Sequence, residues 1–393
     1  MADGGLAAGM GRLGTESAFE VLARAKAIEE TGRSVINLGI GQPDFPTPGH
    51  IVEAACQALR DGHHGYTPAN GIKPLREAIA ADLHRRHGVV VDPGHILVVP
   101  GGKVTMFFAI LMFGEPGAEI IYPDPGFPIY RSVIEFTGAK AVPLPLREAD
   151  GFAFDADALL GLITPRTRLI ILNSPANPTG GVSAKAQVER LAAGLARHPE
   201  VMLLSDEIYS LLLYDGHEHV SLLRYEQLRR QTIMLDGFSK TYAMTGWRLG
   251  YAVWPSHLIE AATRLAINCH SCVNAATQYA GIAALQGPQD SVATMRAAFD
   301  ERRRFVVAAL NRLPGVSCIA PAGAFYAFPN VSKVGRTAKA IERGLLEDAG
   351  VATIAGTSFG RYGEGYLRLS YANSLPNIAE AVQRMEDWLR RQN

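Results

Sequence analysis

Short runs of aliphatic and β-branched residues recur along the first two-thirds of the chain: ILVVP from Ile96, EIIYPD from Glu119, RLIILN from Arg168, VMLLSD from Val201, TIMLDG from Thr232 and LGYAVW from Leu249. Runs this apolar, without polar alternation, are the signature of strands buried on both faces, and the longer amphipathic stretches between them read as helices. The pattern predicts an α/β fold with a mainly parallel central sheet flanked by helices. Apolar positions also repeat at helical spacing from Ser17 to Glu30, where Gly32 ends the run. A second helix follows Pro74, and a third is the apolar run VTMFFAILM. Beyond about residue 290 the pattern changes. An Arg-rich helical segment runs from Met295 to Leu313, PAGAFYAFPNV and GYLRLSYANS read as separated strands, and a last helix after Pro376 places Ile378, Val382, Met385 and Leu389 on one face. This predicts a smaller α+β domain. The expected organisation is an N-terminal arm and first part of the small domain over 1–47, a large domain over 48–290 and a C-terminal small domain over 291–393. The first fifteen residues, rich in Gly and Ala, are expected to be mobile.

Polar residues of unusual character stand just after the strands. Gly101, Gly102 and Lys103 separate ILVV from a helix, leaving backbone amides free at its positive end, as a phosphate cradle requires. This is not a Walker A loop, because Val104 stands where Ser or Thr is needed. Phe127 and Tyr130 follow EIIYPD, Asn177 follows RLIILN, and Asp206 and Tyr209 follow VMLLS. Ser239 and Lys240 follow TIMLDG, and Arg248 precedes LGYAVW. Ligands in such sheets bind beyond the carboxyl ends of the strands, so these positions are expected to converge. A lysine screened from water near a fixed cation becomes a nucleophile suited to imine formation. Together, a phosphate turn, a stacking aromatic, a carboxylate and such a lysine describe a site for a phosphorylated aromatic aldehyde, pyridoxal 5′-phosphate. Each residue alone has a plainer reading: Asp206 beside Glu207 as a helix cap, Asn177 as a turn former, Phe127 as core.

Composition narrows the classes. With 393 residues, 48% of them apolar, the chain can bury a large core, and 38 Lys plus Arg against 38 Asp plus Glu leave no basic field for nucleic acid or anionic membrane. No apolar run approaches membrane-spanning length, and MADGGLAAGMGRLG lacks the flank and core of a signal peptide, so a cytoplasmic protein is expected. Cys56, Cys269, Cys272 and Cys318 are too few for a disulfide framework. The Cys269/Cys272 pair lacks the companions of a metal or haem motif. Gly39 and Gly41 do not make a dinucleotide fingerprint, since Pro43 and Pro46 forbid the helix that should follow.

The segments GIGQPDFPTP, HGYTPANGI, SPANPTG, SDEIY, FSKTYAMTGWRLGY, GAFYAF and YLRLSYA resemble those of the class I/II aminotransferases of pyridoxal phosphate fold type I, in particular their bacterial aspartate and aromatic aminotransferase-like branch. The resemblance spans nearly the whole chain from about residue 17. It implies a ping-pong transfer of an α-amino group to a 2-oxo acid, with Lys240 as Schiff-base lysine and proton shuttle. It implies Asp206 on the pyridine nitrogen, Asn177 and Tyr209 on the phenolate oxygen and Phe127 against the ring. Arg248, Ser239 and the amides of Gly102 and Lys103 would hold the phosphate. Tyr66 would reach the phosphate of a neighbouring subunit, making a homodimer with shared sites, and Arg368 would fork onto the substrate α-carboxylate in a pocket lined by Gly41. The side-chain pocket is expected around Ser17 to Phe19 and Ile40, whose apolar Phe19 and Ile40 tilt the expectation toward uncharged substrates. Three departures stand out. Many relatives of that family place a hydroxyl residue where Gly102 and Lys103 stand, so phosphate binding is expected to depend more on backbone amides. Gly237 replaces a phosphate-binding serine of some relatives, and Ala355 replaces a common proline, which is expected to loosen a small-domain loop. A β-lyase or decarboxylase on the same scaffold and a non-catalytic amino-acid sensor remain open alternatives.

Overall fold

The computed structural model describes residues 5–392. Its centre is a seven-stranded sheet in the order Ile96–Val99, Gly250–Val253, Thr232–Gly237, Met202–Asp206, Thr167–Asn173, Glu119–Asp124, Lys140–Pro145. Only Gly250–Val253 runs against its neighbours. Both faces are covered, which is why the strands read as unbroken apolar runs. Leu97, Val99, Ile120, Leu169, Ile171, Leu204, Ile233 and Leu235 face one helical layer, where helix Lys103–Phe113 supplies Phe108, Ala109 and Ile110. On the opposite face Ile96, Val98, Met234 and Tyr251 pack with Leu75, Ile79 and Leu83 of helix Lys73–His87. Farther along that face Ile170 and Leu203 meet Leu191 and Leu195 of helix Lys185–Leu195.

The strand Lys140–Pro145 was not legible as one, because its proline-interrupted KAVPLP carries two prolines and a mostly half-buried face. It is an edge strand, where proline is tolerated.

A second body is built around an antiparallel sheet, Ile354–Ala355, Leu367–Ser370 and Tyr326–Ala327, with Ile36–Asn37 pairing in parallel to Val351–Ala352. A strand near the start of the chain thus pairs with one from its last third, beside the antiparallel sheet. The Arg-rich helix spans Asp290–Leu310, and the last helix Leu375–Arg390 buries Ile378, Val382, Met385 and Leu389 as the pattern predicts.

Two expectations are corrected. The described part of the N-terminal tail is tied down: Arg12 Nε donates to the Glu135 carbonyl at 2.7 Å, and the Gly14 amide donates to Ser132 Oγ at 2.9 Å, both on helix Pro128–Thr137. Residues 1–4 lie outside the described residues. Ala355 does not loosen its loop either. Its buried amide donates to Glu342 Oε2 at 2.7 Å, a bond that proline lacks the hydrogen to make. Gly237 also has a reason to be glycine, since a β-carbon there would lie 3.0 Å from the Cα of Gly250 on the adjacent strand.

Candidate active site

The carboxyl ends of the parallel strands deliver the candidate residues to one rim, and the single reversed strand delivers its residue from the other direction. Because Gly250–Val253 starts at that rim, Arg248, two residues before the strand, arrives there too. Arg248 adopts φ +57°, and its guanidinium donates to the Thr245 carbonyl at 2.8 Å and the Pro100 carbonyl at 3.5 Å. It lies over Gly101, whose φ of +92° and closeness to that guanidinium leave no room for a β-carbon. The amides of Gly102 and Lys103 open helix Lys103–Phe113 and find no acceptor among the described residues. Two free amides at a helix N-terminus beside a guanidinium form a dianion seat.

Asp206 ends its strand fully buried. Its only side-chain donor is Tyr130, whose hydroxyl lies 2.5 Å from Oδ2, and no cation pairs with it among the described residues. Burial pushes the carboxyl up to about 6, while the Tyr130 bond pulls in the opposite direction. A buried carboxylate so placed awaits a cation such as a protonated ring nitrogen. Phe127 caps helix Pro128–Thr137, with its ring edge-on to Tyr130 at 5.9 Å and Lys103 Nζ 5.4 Å from its centroid.

Lys240 Nζ donates to the Gly41 carbonyl at 2.7 Å and lies 5.9 Å from the Phe325 ring. Burial, then the charges of Arg368 and Arg248, lowers its ammonium to about 8. Ser239 beside it is buried. Arg368 comes from the small antiparallel sheet and is buried between the rings of Tyr326 and Phe359, each 4.7 Å from Cζ. It donates to Asn177 Oδ1 at 3.0 Å and to the Gly39 carbonyl, while its buried Nε has no partner. An unpaired buried guanidinium with an orphan donor suits a carboxylate ligand. Tyr209 shares a 2.7 Å hydrogen bond with Tyr326, and a β-carbon at Gly41 would collide with that Tyr326 hydroxyl.

Tyr66 is not brought into this site: it is 95% exposed on its own chain. Phe19, expected in the side-chain pocket, is 59% exposed and does not wall it in this chain. Tyr130, Tyr326 and Phe359 gained no role from sequence. Tyr130 lies one helical step from Phe127 and Tyr326 sits within GAFYAF, but only the fold shows which polar group each hydroxyl meets. Ion pairing also brings Glu16 to Lys103.

The residues present therefore offer a dianion seat, a ring platform, a buried carboxylate, an amine of lowered basicity and a carboxylate clamp, the donor set that pyridoxal 5′-phosphate and an amino acid require.

The family model for aminotransferase class I and II matches residues 33–385. The aspartate aminotransferase of Geobacillus stearothermophilus is 37% identical over 98% of this chain and 98% of its own length. The aromatic-amino-acid aminotransferase 2 of Thermococcus litoralis is equally 37% identical, over 91% of this chain and 92% of its own. The crystal structure of the aspartate aminotransferase of Rhizobium meliloti superposes with a TM-score of 0.94 at 36% identity, covering 98% of this chain and 99% of that one.

Proposed function

This chain belongs to the class I and II aminotransferases, which move the amino group of an amino acid to a 2-oxo acid, and from that premise we propose how its residues divide the work. The family's cofactor is pyridoxal 5′-phosphate, which when bound supplies an electron sink for the bond breaking at the amino-acid α-carbon. Arg248 and the amides of Gly102 and Lys103, with Ser239, would hold its phosphate. Phe127 would lie against the ring, Asp206 would keep the ring nitrogen protonated, and Asn177 and Tyr209 would meet its phenolic oxygen.

Arg368 forks onto the α-carboxylate, and its clamp between Tyr326 and Phe359 fixes the angle at which the amino acid arrives. Gly41 lines the same pocket, its missing side chain leaving room for the Tyr326 hydroxyl. Lys240 Nζ would take the α-proton and deliver it across the amino nitrogen to the aldehyde-derived carbon of the cofactor, for which an amine lowered to about 8 is well matched. Tyr130 positions the Asp206 carboxylate. The observations carrying this reading are a buried Arg368 and a Lys240 that both rest on neutral oxygens, and a buried Asp206 that no cation pairs with among the described residues.

We read the active unit as a cytoplasmic homodimer in which the exposed Tyr66 serves the partner's phosphate, and the chain as divided near residues 47 and 290. Relatives at the same identity are named for aspartate and for aromatic amino acids, so overall similarity leaves the side-chain preference to the pocket itself.

The test is a half-reaction screen, following the cofactor's absorbance as each of the common amino acids is added without an acceptor. Conversion is expected with wild type, and Arg368→Ala should raise the concentration needed roughly a hundredfold, since a charge-assisted two-pronged contact is lost. Release of ammonia and an oxo acid without stored amine would identify a lyase instead. An unchanged concentration dependence in Arg368→Ala would remove that residue from the substrate site.

A further inference from the structure

Glu16 immediately precedes helix Ser17–Glu29, at the position where the shorter side chains of Ser, Thr, Asp or Asn ordinarily cap the first turn. It makes no such bond. Its carboxylate instead pairs with Lys103 Nζ, and the Glu16 side chain is 15% exposed against 44% for Lys103. This pair stands beside the phosphate cradle. The helix after Glu16 rides on the small sheet, with Val21 and Ala25 packed in one cluster with Ala352 and Ile354, and with Arg24 paired to Glu347. The residues before it are fastened to helix Pro128–Thr137 of the large sheet by Arg12 and Gly14. Lys103, in turn, opens the helix of the phosphate cradle and stands over Phe127. The Glu16 charge reaches Lys240 and Arg368: it raises the basicity of the lysine against burial and neighbouring cations, and that of the arginine against burial.

Among the cations at this rim, Arg248 has its fork on backbone carbonyls beside the dianion seat and Arg368 is the carboxylate clamp. Lys103 is, among the described residues of this chain, the further cation beside the cradle that a second carboxylate could meet, and it is already paired with Glu16. We propose that Glu16 is a specificity-determining residue, an internal carboxylate that occupies Lys103 and turns the enzyme away from amino acids with acidic side chains toward uncharged ones. The proposal rests on the reading that Arg368 holds the substrate α-carboxylate. A dicarboxylate must displace a tethered competitor whose effective concentration is high, and until it does so it meets like charge. An uncharged side chain leaves the Glu16–Lys103 pair standing.

The test uses cofactor-loaded enzyme and two unreactive acids, succinate and propionate, with dissociation constants measured by calorimetry. Wild type is expected to bind succinate no more tightly than propionate. Glu16→Gln keeps the shape and removes the charge, and should shift the ratio of the two constants about tenfold in favour of succinate. Adding Lys103→Met to that variant should cancel the shift. A wild type that already prefers succinate strongly, or a Glu16→Gln ratio that stays put or moves toward propionate, overturns the proposal. If neither acid binds, or if Arg368→Ala affects neither, the parent reading of Arg368 falls and takes this one with it.

Discussion

Lys240 shows how burial and crowding set the chemistry of one side chain. A lysine in water holds its proton far above neutrality, but here desolvation first, and the guanidiniums of Arg368 and Arg248 second, bring it to about 8. Its amine is therefore charged in the larger part at neutral pH and neutral above pH 8. Only the neutral form attacks an aldehyde. The rate at which the cofactor-free protein captures pyridoxal 5′-phosphate is thus expected to rise about tenfold per pH unit below pH 8 and to level off above it. Stopped-flow absorbance checks this, and a profile still climbing past pH 10 would mean an ordinary, solvated lysine. Asp206 is the counterpart: its proton is retained up to about pH 6 because the carboxylate is dry, and Tyr130 is what keeps it from climbing further.

At the scale of elements, much of the molecule was legible. Strands such as RLIILN and TIMLDG are buried on both faces, so their composition announces them. The site residues were legible for a topological reason, since a parallel sheet gathers the residues after its strands at one rim. What the pattern did not carry was direction and docking. Nothing in LGYAVW shows that Gly250–Val253 runs backwards, although that reversal is what brings Arg248 to the rim. Glycine-rich composition likewise suggested a loose tail, whereas Arg12 and Gly14 spend their donors on a helix more than a hundred residues away. Ala355 is the clearest case of a residue whose meaning depends on its neighbour: the buried Glu342 carboxylate takes its amide hydrogen. Ala355→Pro would leave that acceptor short of a donor. It is expected to destabilise the fold by about 1–3 kcal/mol, read as a lower thermal or denaturant midpoint, even though proline is common there in the family the sequence resembles. A variant as stable as wild type would show that Glu342 finds another donor at no cost.

For the whole molecule, the partner is the element one chain cannot display. Tyr66 contacts nothing of its own site, and Leu59 and Ile267 are exposed as well. Among the described residues no helix is long and apolar enough to cross a membrane. If sites are shared across a twofold axis, Lys240→Ala and Tyr66→Asp subunits should complement each other. A hybrid dimer contains one site with an intact lysine and an intact tyrosine from the neighbour, so equal mixing after dissociation should restore about a quarter of wild-type activity. Activity no greater than the sum of the separate variants would mean that each chain works alone.

The account depends on Lys240 being the amine that carries the cofactor, and reduction of the loaded protein with borohydride followed by mass spectrometry of its peptides addresses that most directly. The mass of the reduced cofactor is expected on the peptide containing Phe238, Ser239 and Lys240, and to vanish in Lys240→Ala. An adduct on Lys103, or none on any lysine of a protein that still transaminates, would contradict it.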